Sequence, residues 1–151
     1  EILEDQIIKK ISMYKLPRSI INMEITETAM ANTPEVLLRN IEKLVEAGIE
    51  FSLDDYGSGY SNMNYMLNLP FSMIKIDKGI VWSASTDKRA YLALKSTIKM
   101  ISELGMSVLA EGVETKEQSD WLTELGCDYL QGFYFAKPMP KKDFIELMKK
   151  E

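Results

Sequence analysis

Histidine is absent from this chain of 151 residues, and cysteine occurs once, at position 127. Without histidine the chain cannot use Ser-His or Cys-His catalysis, nor the ligand sets common at zinc, copper and non-haem iron sites. A single cysteine excludes an internal disulfide and a cysteine-cluster metal site, and we interpret Cys127 as a small core residue. Chemistry must therefore use carboxylates, lysines, amides or hydroxyls, and a metal should be a hard cation such as Mg²⁺ or Mn²⁺.

Excess positive charge and long apolar runs are also lacking. The net charge of −5 argues against binding to long nucleic acid, because such binding needs clustered lysine and arginine. No stretch approaches the ~20 apolar residues of a membrane helix, and the first residues do not form a secretory signal. An apolar fraction of 46% is ordinary for a folded domain. We expect a cytoplasmic segment, with any membrane anchor outside the given sequence.

Apolar periodicity predicts helices that alternate with short buried strands. The strands are predicted at 20–25, 49–53, 71–76, 107–110 and 129–135. Capping residues, prolines and glycines mark the helix ends, namely Pro17, Thr33, Pro34, Gly48, Asp87, Gly105, Thr115, Gln118, Gly126 and Pro140. Because a helix precedes each later strand, the order predicts a parallel α/β sheet.

One pattern of helix, glycine and strand occurs three times, as LVEAGIEF, ISELGMSV and LTELGCDY. This repetition indicates successive β/α units. A (β/α)8 barrel needs ~250 residues, so the chain holds little more than half of one, whereas an open doubly wound sheet of five strands fits the length better. Periodicity alone leaves both architectures open, and both place functional residues at the C-terminal ends of strands.

Polar side chains follow every predicted strand. They are Glu24, Thr26, Glu27, Asp54, Asp55, Lys75, Asp77, Glu111, Glu114 and Gln131. Because the C-terminal ends of parallel strands meet along one rim, these groups should converge there, and a divalent cation would offset the repulsion among carboxylates. The adjacent Asp54 and Asp55 suit two metals, and Gly57 and Gly59 allow the following loop to turn sharply.

Each of these residues also has a purely structural interpretation. The DDYGSG segment fits a solvated turn, and Lys75 fits a lysine that snorkels at a sheet edge. Glu111 could cap a loop, and Gln131 could be a satisfied core amide. In the functional interpretation Lys75 orients a water or neutralises developing charge, and Glu111 accepts the proton of that water. The conjunction of these residues at strand ends favours a site.

Five longer motifs occur in one order and cover nearly the whole chain from about Ile20 onward. They are MEITET, DDYGSGYSN, MIKIDKGIV, LAEGVET with its following EQ, and LGCDYLQGFYFAKPMP. Together they resemble the EAL-domain phosphodiesterases of bacterial cyclic di-GMP signalling. The resemblance implies a TIM-like (β/α)8 barrel, of which residues 1–151 supply roughly the last five β/α units as a single, partial domain.

The resemblance also implies an activity, the hydrolysis of cyclic di-GMP to linear pGpG with Mg²⁺ or Mn²⁺. Glu24 and Asp54 resemble metal ligands in that family, and Asp55 resembles the residue that serves a second metal. The implied ligand is therefore cyclic di-GMP, and residues that bind its guanines are not assigned.

Four further residues take roles from the same resemblance. Lys75 resembles the lysine that contacts the catalytic water, and Glu111 resembles the carboxylate that activates it. Gln131 resembles the amide that supports the metal and water network. Glu27 resembles the acid that holds the mobile loop after the DDYG strand, so its implied role is positional.

The sequence departs from the family pattern in two ways. Tyr56, Ser58 and Phe133 stand where Phe, Thr and Tyr are usual, and these conservative exchanges should leave the site intact. The Glu-Ala-Leu signature does not occur, and Glu4 in EILEDQ belongs to a different segment. The missing part would supply two metal ligands and most of the guanine-binding surface, so we expect this chain alone to turn over slowly, if at all.

Two other functions remain open at this point. One is a catalytically incompetent EAL module that binds cyclic di-GMP or a protein partner. The other is a receiver-like phosphoacceptor, which the order of acids and lysine disfavours. A half-barrel would expose sheet edges and apolar surface, so we expect self-association or a homodimer. The parent protein could also carry sensor or GGDEF-type domains.

Overall fold

The computed structural model describes residues 2–30, 35–59 and 63–149, in which strands and helices alternate. The strands are β1 (Asn22–Thr26), β2 (Glu50–Tyr56), β3 (Met73–Ile76), β4 (Ser107–Ala110) and β5 (Tyr129–Leu130). The helices are α1 (Ile2–Met13), α2 (Glu27–Met30), α3 (Glu35–Glu46), α4 (Met63–Asn68), α5 (Lys78–Ala84), α6 (Lys88–Glu103), α7 (Lys116–Glu124) and α8 (Lys141–Met148). The predicted cap at Thr33 and Pro34, and positions 60–62 of the DDYGSGYSN motif, lie outside the described residues.

The five strands form one sheet in the order β1-β2-β3-β4-β5, and every neighbouring pair is parallel. Thr26 pairs with Asp54, and Lys75 pairs with Leu109. Each strand therefore lies beside its successor along the chain, as in a β/α barrel, whereas the strand order of a doubly wound sheet reverses at a switch point. The parallel sheet is confirmed, and its order argues against the doubly wound and receiver-like alternatives.

The core lies between the sheet and the helices that cover it. Ile74, Ile76 and Val108 of the central strands are fully buried, and Leu94, Ile98 and Ile101 form the buried face of α6. That spacing of three and four residues places all three side chains on one side of a helix. Each fully buried isoleucine or leucine contributes roughly 1.5–3 kcal/mol relative to an exposed one, so this layer is the main source of stability.

The predicted ends of α6 and α7 are confirmed. The side chain of Asp87 accepts the backbone N–H of Arg89 at the start of α6, and Gly105 ends that helix with a φ of 82°. Thr115 and Gln118 form the predicted capping box of α7. These signals are local, since each capping side chain contacts backbone within three residues.

The prediction of a fifth strand over 129–135 is wrong beyond Leu130. The chain turns at Gly132 because its backbone lies directly against the backbone of Val113, and a Cβ on Gly132 would be 2.0 Å from the Val113 carbonyl oxygen. Within the turn the Phe135 N–H donates to the Gly132 carbonyl oxygen over 3.1 Å. The first strand also begins later than predicted, at Asn22, after a 3-10 turn over Arg18–Ile20.

Three short helices, α2, α4 and α5, were not predicted from the sequence. Helix α2 begins at Glu27, immediately after β1, and helix α5 begins after Asp77, whose side chain accepts the N–H of Gly79. All three are too short to show a clear apolar period. In the described part of the chain, no helix combines the length and the apolar character needed to cross a membrane.

Candidate active site

Lys75 lies at the centre of a group of carboxylates at the C-terminal ends of the strands. Its side chain projects from the middle strand of the sheet, and the residue is only 6% exposed. The Nζ atom lies 3.0 Å from Glu24 Oε1, 2.8 Å from Asp54 Oδ1 and 3.0 Å from Glu111 Oε1. An ammonium carries three N–H donors, which matches these three acceptors from β1, β2 and the residue after β4.

The surrounding carboxylates keep Lys75 charged. Burial by itself lowers the pKa of this side chain, but the carboxylates of Asp54, Glu111 and Glu24 outweigh it and raise the pKa well above its usual value. In the metal-free protein Lys75 is therefore an ammonium at neutral pH. The alternative of a lysine that snorkels at an edge is excluded, because β3 is the central strand of the sheet.

Asp54, Asp55 and Glu111 bring one carboxylate oxygen each to within 4.8 Å of one another. Adjacent residues in a regular strand point to opposite faces, so this convergence needs a local break. The pairing register of β2 and β3 shifts between Leu53 and Tyr56, and Asp55 has a φ of 57°. Such irregularities redirect side chains near functional sites. The two aspartates thus share one side of the site.

The donor chemistry of this group fits a hard divalent cation. Mg²⁺ and Mn²⁺ prefer carboxylate oxygens, and the group offers oxygens from Asp54, Asp55 and Glu111. Glu24, Asp54 and Glu111 contact the ammonium of Lys75, and Asp55 adds a fourth carboxylate beside Asp54 and Glu111. The site therefore has excess negative charge that a cation would neutralise.

Glu27 connects β1 to the loop that follows β2. It is the first residue of α2 and is 4% exposed. Its Oε2 atom accepts the backbone N–H of Gly57 over 3.0 Å, and Gly57 has a φ of 91°. Among the described residues no donor reaches Oε1, which is buried. Glu27 therefore supports the loop after Asp55 rather than the Lys75 group.

Gln131 has a different position from the other predicted site residues. Its backbone bridges two segments, because its N–H donates to Ala110 O over 2.9 Å and its carbonyl accepts the N–H of Val113 over 3.1 Å. The residue is exposed and lines a groove of about 220 Å³ together with Glu111 and Glu114. Within the described residues its amide makes no contact with Lys75.

A comparison with known families identifies the family of this chain. The family model of the EAL domain matches residues 1–138. The chain belongs to the EAL domain family. The acids and lysine described above thus lie at the C-terminal ends of strands in an EAL domain, where the sequence motifs predicted them.

Curated relatives and solved structures agree with the family. The chain is 37% identical over 144 residues to cyclic di-GMP phosphodiesterase RocR of Pseudomonas aeruginosa, covering 95% of this chain and 37% of RocR. The PaMucR phosphodiesterase in complex with c-di-GMP has 33% identity and a TM-score of 0.86, with 94% of this chain and 57% of that chain covered. A calcium and cy-diGMP complex of Klebsiella pneumoniae BlrP1 has 27% identity, a TM-score of 0.83, and coverage of 89% and 34%.

The relatives also indicate the fold of this chain and how much of each relative it covers. Because EAL domains are TIM-like barrels, the five parallel strands belong to a TIM-like α/β fold, as predicted. The chain spans 37% of RocR and 57% of the PaMucR chain, so it corresponds to part of each relative.

Two residues of this EAL chain were missed by the motif-based reasoning. Lys78 and Trp82 lie on α5 and line the groove beside Glu111. The Trp82 indole Nε1–H donates to the carbonyl oxygen of Gly112 over 2.9 Å. Asp77 is the sequence signal that could have found them, because an aspartate is a typical helix cap. It begins α5, which carries Lys78 and Trp82 past the end of the neighbouring strand.

Proposed function

We propose that this chain carries the acidic and lysine part of a metal-dependent phosphodiesterase site that hydrolyses cyclic di-GMP to pGpG. The observation that carries the proposal is the placement of buried Lys75 within 3.0 Å of carboxylates from three neighbouring strand ends. Such an arrangement is costly for a purely structural core, and the similar RocR is named a cyclic di-GMP phosphodiesterase.

Carboxylates would hold the metal, which we propose to be Mg²⁺ or Mn²⁺. Glu24 and Asp54 are the proposed ligands of one cation, and Asp55 is the proposed ligand of a second. The convergence of Asp54 and Asp55 oxygens supports this assignment. A bound cation of this kind polarises a phosphodiester and lowers the pKa of an adjacent water.

The chain's own residues would carry the proton and hold the geometry. Attack of a water oxygen on phosphorus forms a new P–O bond and breaks the bond to the ribose 3′ oxygen. Glu111 is the proposed acceptor of the water proton, and the released 3′ oxygen takes a proton from solvent. Lys75 is proposed to hold Glu111 and to stabilise negative charge, and the 3.0 Å contact of its Nζ atom with Glu111 Oε1 supports that role.

Two residues are assigned supporting roles. Glu27 is proposed to hold the loop after Asp55 through the N–H of Gly57, and the 3.0 Å contact supports that role. Gln131 is proposed to support the water network from the side of the groove that it shares with Glu111.

The test is hydrolysis of cyclic di-GMP with Mn²⁺ or Mg²⁺, with pGpG measured by chromatography. The chain is assayed beside the complete natural protein that contains it, because the relatives are longer. We expect pGpG from the complete protein. Glu111→Gln should lower kcat at least about 100-fold, as expected when a general base is lost.

Glu103→Gln is the matched control, since Glu103 lies on α6 and pairs with the exposed Lys99. Its kcat should equal that of the natural protein. Binding of cyclic di-GMP without any pGpG, from the chain and from the complete protein alike, would reject hydrolysis and favour the non-catalytic binding module.

We also propose that this chain associates with itself. Exposed apolar side chains on α8 and in the preceding turn, among them Phe135, Phe144 and Met148, support the self-association expected from open sheet edges. Sedimentation of this chain over a range of concentrations tests the self-association, and a monomer at every concentration would contradict it.

We further propose a cytoplasmic location and attached regulatory domains. The bifunctional diguanylate cyclase/cyclic di-GMP phosphodiesterase MucR of Pseudomonas aeruginosa, of which the chain covers 21%, is one such larger relative.

A further inference from the structure

The backbone next to Glu111 depends on glycine. Gly112 has a φ of 68°, in the left-handed region that glycine adopts without penalty. A glycine also allows many other conformations, so the residue that follows Glu111 is the least restrained point of this segment. Contacts from elsewhere therefore fix the backbone that follows Glu111.

Three consecutive residues are anchored by three different segments: β3, α5 and the residue after β5. The Glu111 N–H donates to Ile76 O over 3.1 Å, and the Val113 N–H donates to Gln131 O over 3.1 Å. Between them, the Gly112 carbonyl oxygen accepts the Trp82 Nε1–H over 2.9 Å. The peptide group between residues 112 and 113 is thus held at its carbonyl oxygen and at its N–H. Among the described residues, Trp82 is the side chain that donates a hydrogen bond to this peptide.

The indole of Trp82 is itself held in place. Lys78, one helical turn earlier on α5, has its Nζ 5.6 Å from the centre of the Trp82 ring. A Cβ on Gly112 would lie 2.3 Å from Lys78 Cβ and 3.3 Å from Trp82 Nε1. The missing side chain of Gly112 therefore allows α5 to approach closely enough for this hydrogen bond.

From this geometry we propose that Trp82 is a positioning residue for Glu111. By fixing the Gly112 carbonyl it holds the Glu111 backbone, so that Glu111 Oε1 stays 3.0 Å from Lys75 Nζ. Among the described residues, the hydrogen bond of the Trp82 side chain goes to the Gly112 carbonyl and not to a carboxylate. The inference rests on the proposed function for its effect on rate, and on the hydrogen bond alone for its effect on the backbone.

The sharpest variant removes the indole N–H and keeps the shape of the ring. Trp82→3-benzothienylalanine does so, because sulfur replaces the N–H group. The same replacement at Trp121 is the matched control, since Trp121 packs edge-on against Tyr91. Trp82→Phe is a second variant that tests the donor with a natural residue.

In the complete natural protein we expect the Trp82 replacement to lower kcat for cyclic di-GMP about tenfold. Small displacements of a catalytic group reduce rates by factors of this order. The KM should change less than about twofold, because the removed hydrogen bond is made to the Gly112 carbonyl and not to substrate. The control at Trp121 should leave both constants unchanged. A raised KM with an unchanged kcat would overturn the positioning role.

Hydrogen exchange tests the backbone effect without any turnover. The amide of Val113 should exchange roughly fivefold faster in the Trp82 variant, which is the population change expected for one lost hydrogen bond. The amide of Ile98, inside α6, should keep its rate. Unchanged exchange at Val113 would overturn the proposal even if the protein proved inactive, whereas faster exchange in an inactive protein would reject only the proposed hydrolysis.

Discussion

The Nζ atom of Lys75 lies 2.8 Å from Oδ1 of Asp54, across the neighbouring strands β3 and β2. Both side chains are largely buried, with 8% and 19% of their surfaces exposed. Removing one partner from a buried ion pair leaves an uncompensated charge, which costs more than the loss of a surface pair. This relationship makes Lys75 a sensitive position for both folding and metal binding.

Lys75→Met should destabilise the metal-free protein by about 3 kcal/mol, because Asp54, Glu24 and Glu111 would face one another without the ammonium. Urea unfolding measures this change. Mn²⁺ should raise the melting temperature of the variant more than that of the natural protein, since the cation would replace the lost charge.

Lys116→Met is the matched control for that experiment. Lys116 pairs with Asp120 on the exposed surface of α7, where ion pairs contribute little. Its unfolding curve should overlay that of the natural protein. Equal effects of the two lysine substitutions would argue against a special role for the buried ammonium.

Glu27→Ala should loosen the loop after β2 and reduce stability by about 1–3 kcal/mol, because the Gly57 N–H loses its acceptor. Glu27→Gln keeps an acceptor at the same place and should retain most of the stability. Urea unfolding and hydrogen exchange of the Gly57 amide measure the two effects. Slow exchange at Gly57 in the alanine variant would contradict the positional role.

Gly132→Ala should destabilise the protein by about 2–3 kcal/mol, the usual cost of overpacking. The added Cβ would lie 2.0 Å from the Val113 carbonyl oxygen, so backbone must move. Gly59→Ala is the control, because within the described part of the chain no atom beyond its chain neighbours lies within 4 Å of its added Cβ. The two variants are compared by thermal unfolding, and similar melting temperatures would refute the close approach at Gly132.

The thiol of Cys127 should react slowly with iodoacetamide at pH 8. Burial, aided by the charge of Asp128, raises the pKa of this thiol from 9.0 to about 12. The unfolded chain releases the proton at lower pH than the folded chain, so this group's contribution to stability falls as pH rises from about 9 toward 12.

The loss of stability is measured by unfolding the natural protein and Cys127→Ala at pH 8 and at pH 10. The natural protein should lose more stability between the two values than the variant does. Rapid native labelling, or identical pH profiles, would show that the thiol is accessible.

The sequence predicted local features of this structure better than features that depend on distant residues. The caps at Asp87, Thr115 and Gln118 were predicted correctly, because each depends on residues three or fewer positions away. The fifth strand was predicted too long because YLQGFYF has the composition of a strand, whereas Gly132 must turn against the distant Val113. Short α5 was missed because seven residues show little periodicity.

The order of the residues along the chain determined by itself that acids, a lysine and an amide would lie at the C-terminal ends of parallel strands. Alternating periodicity and glycine-terminated helices are sufficient for that conclusion. The family motifs then indicated the chemistry, including the involvement of Glu24, Lys75 and Glu111.

Only the tertiary structure decided which of these groups touch. The 2.8 Å contact of Lys75 with Asp54 depends on the pairing of β2 with β3, and the shared side of Asp54 and Asp55 depends on a break in that register. The bond from Trp82 to Gly112 joins residues 30 positions apart. Periodicity describes one segment at a time, whereas these contacts are set by how closely separate segments approach in space.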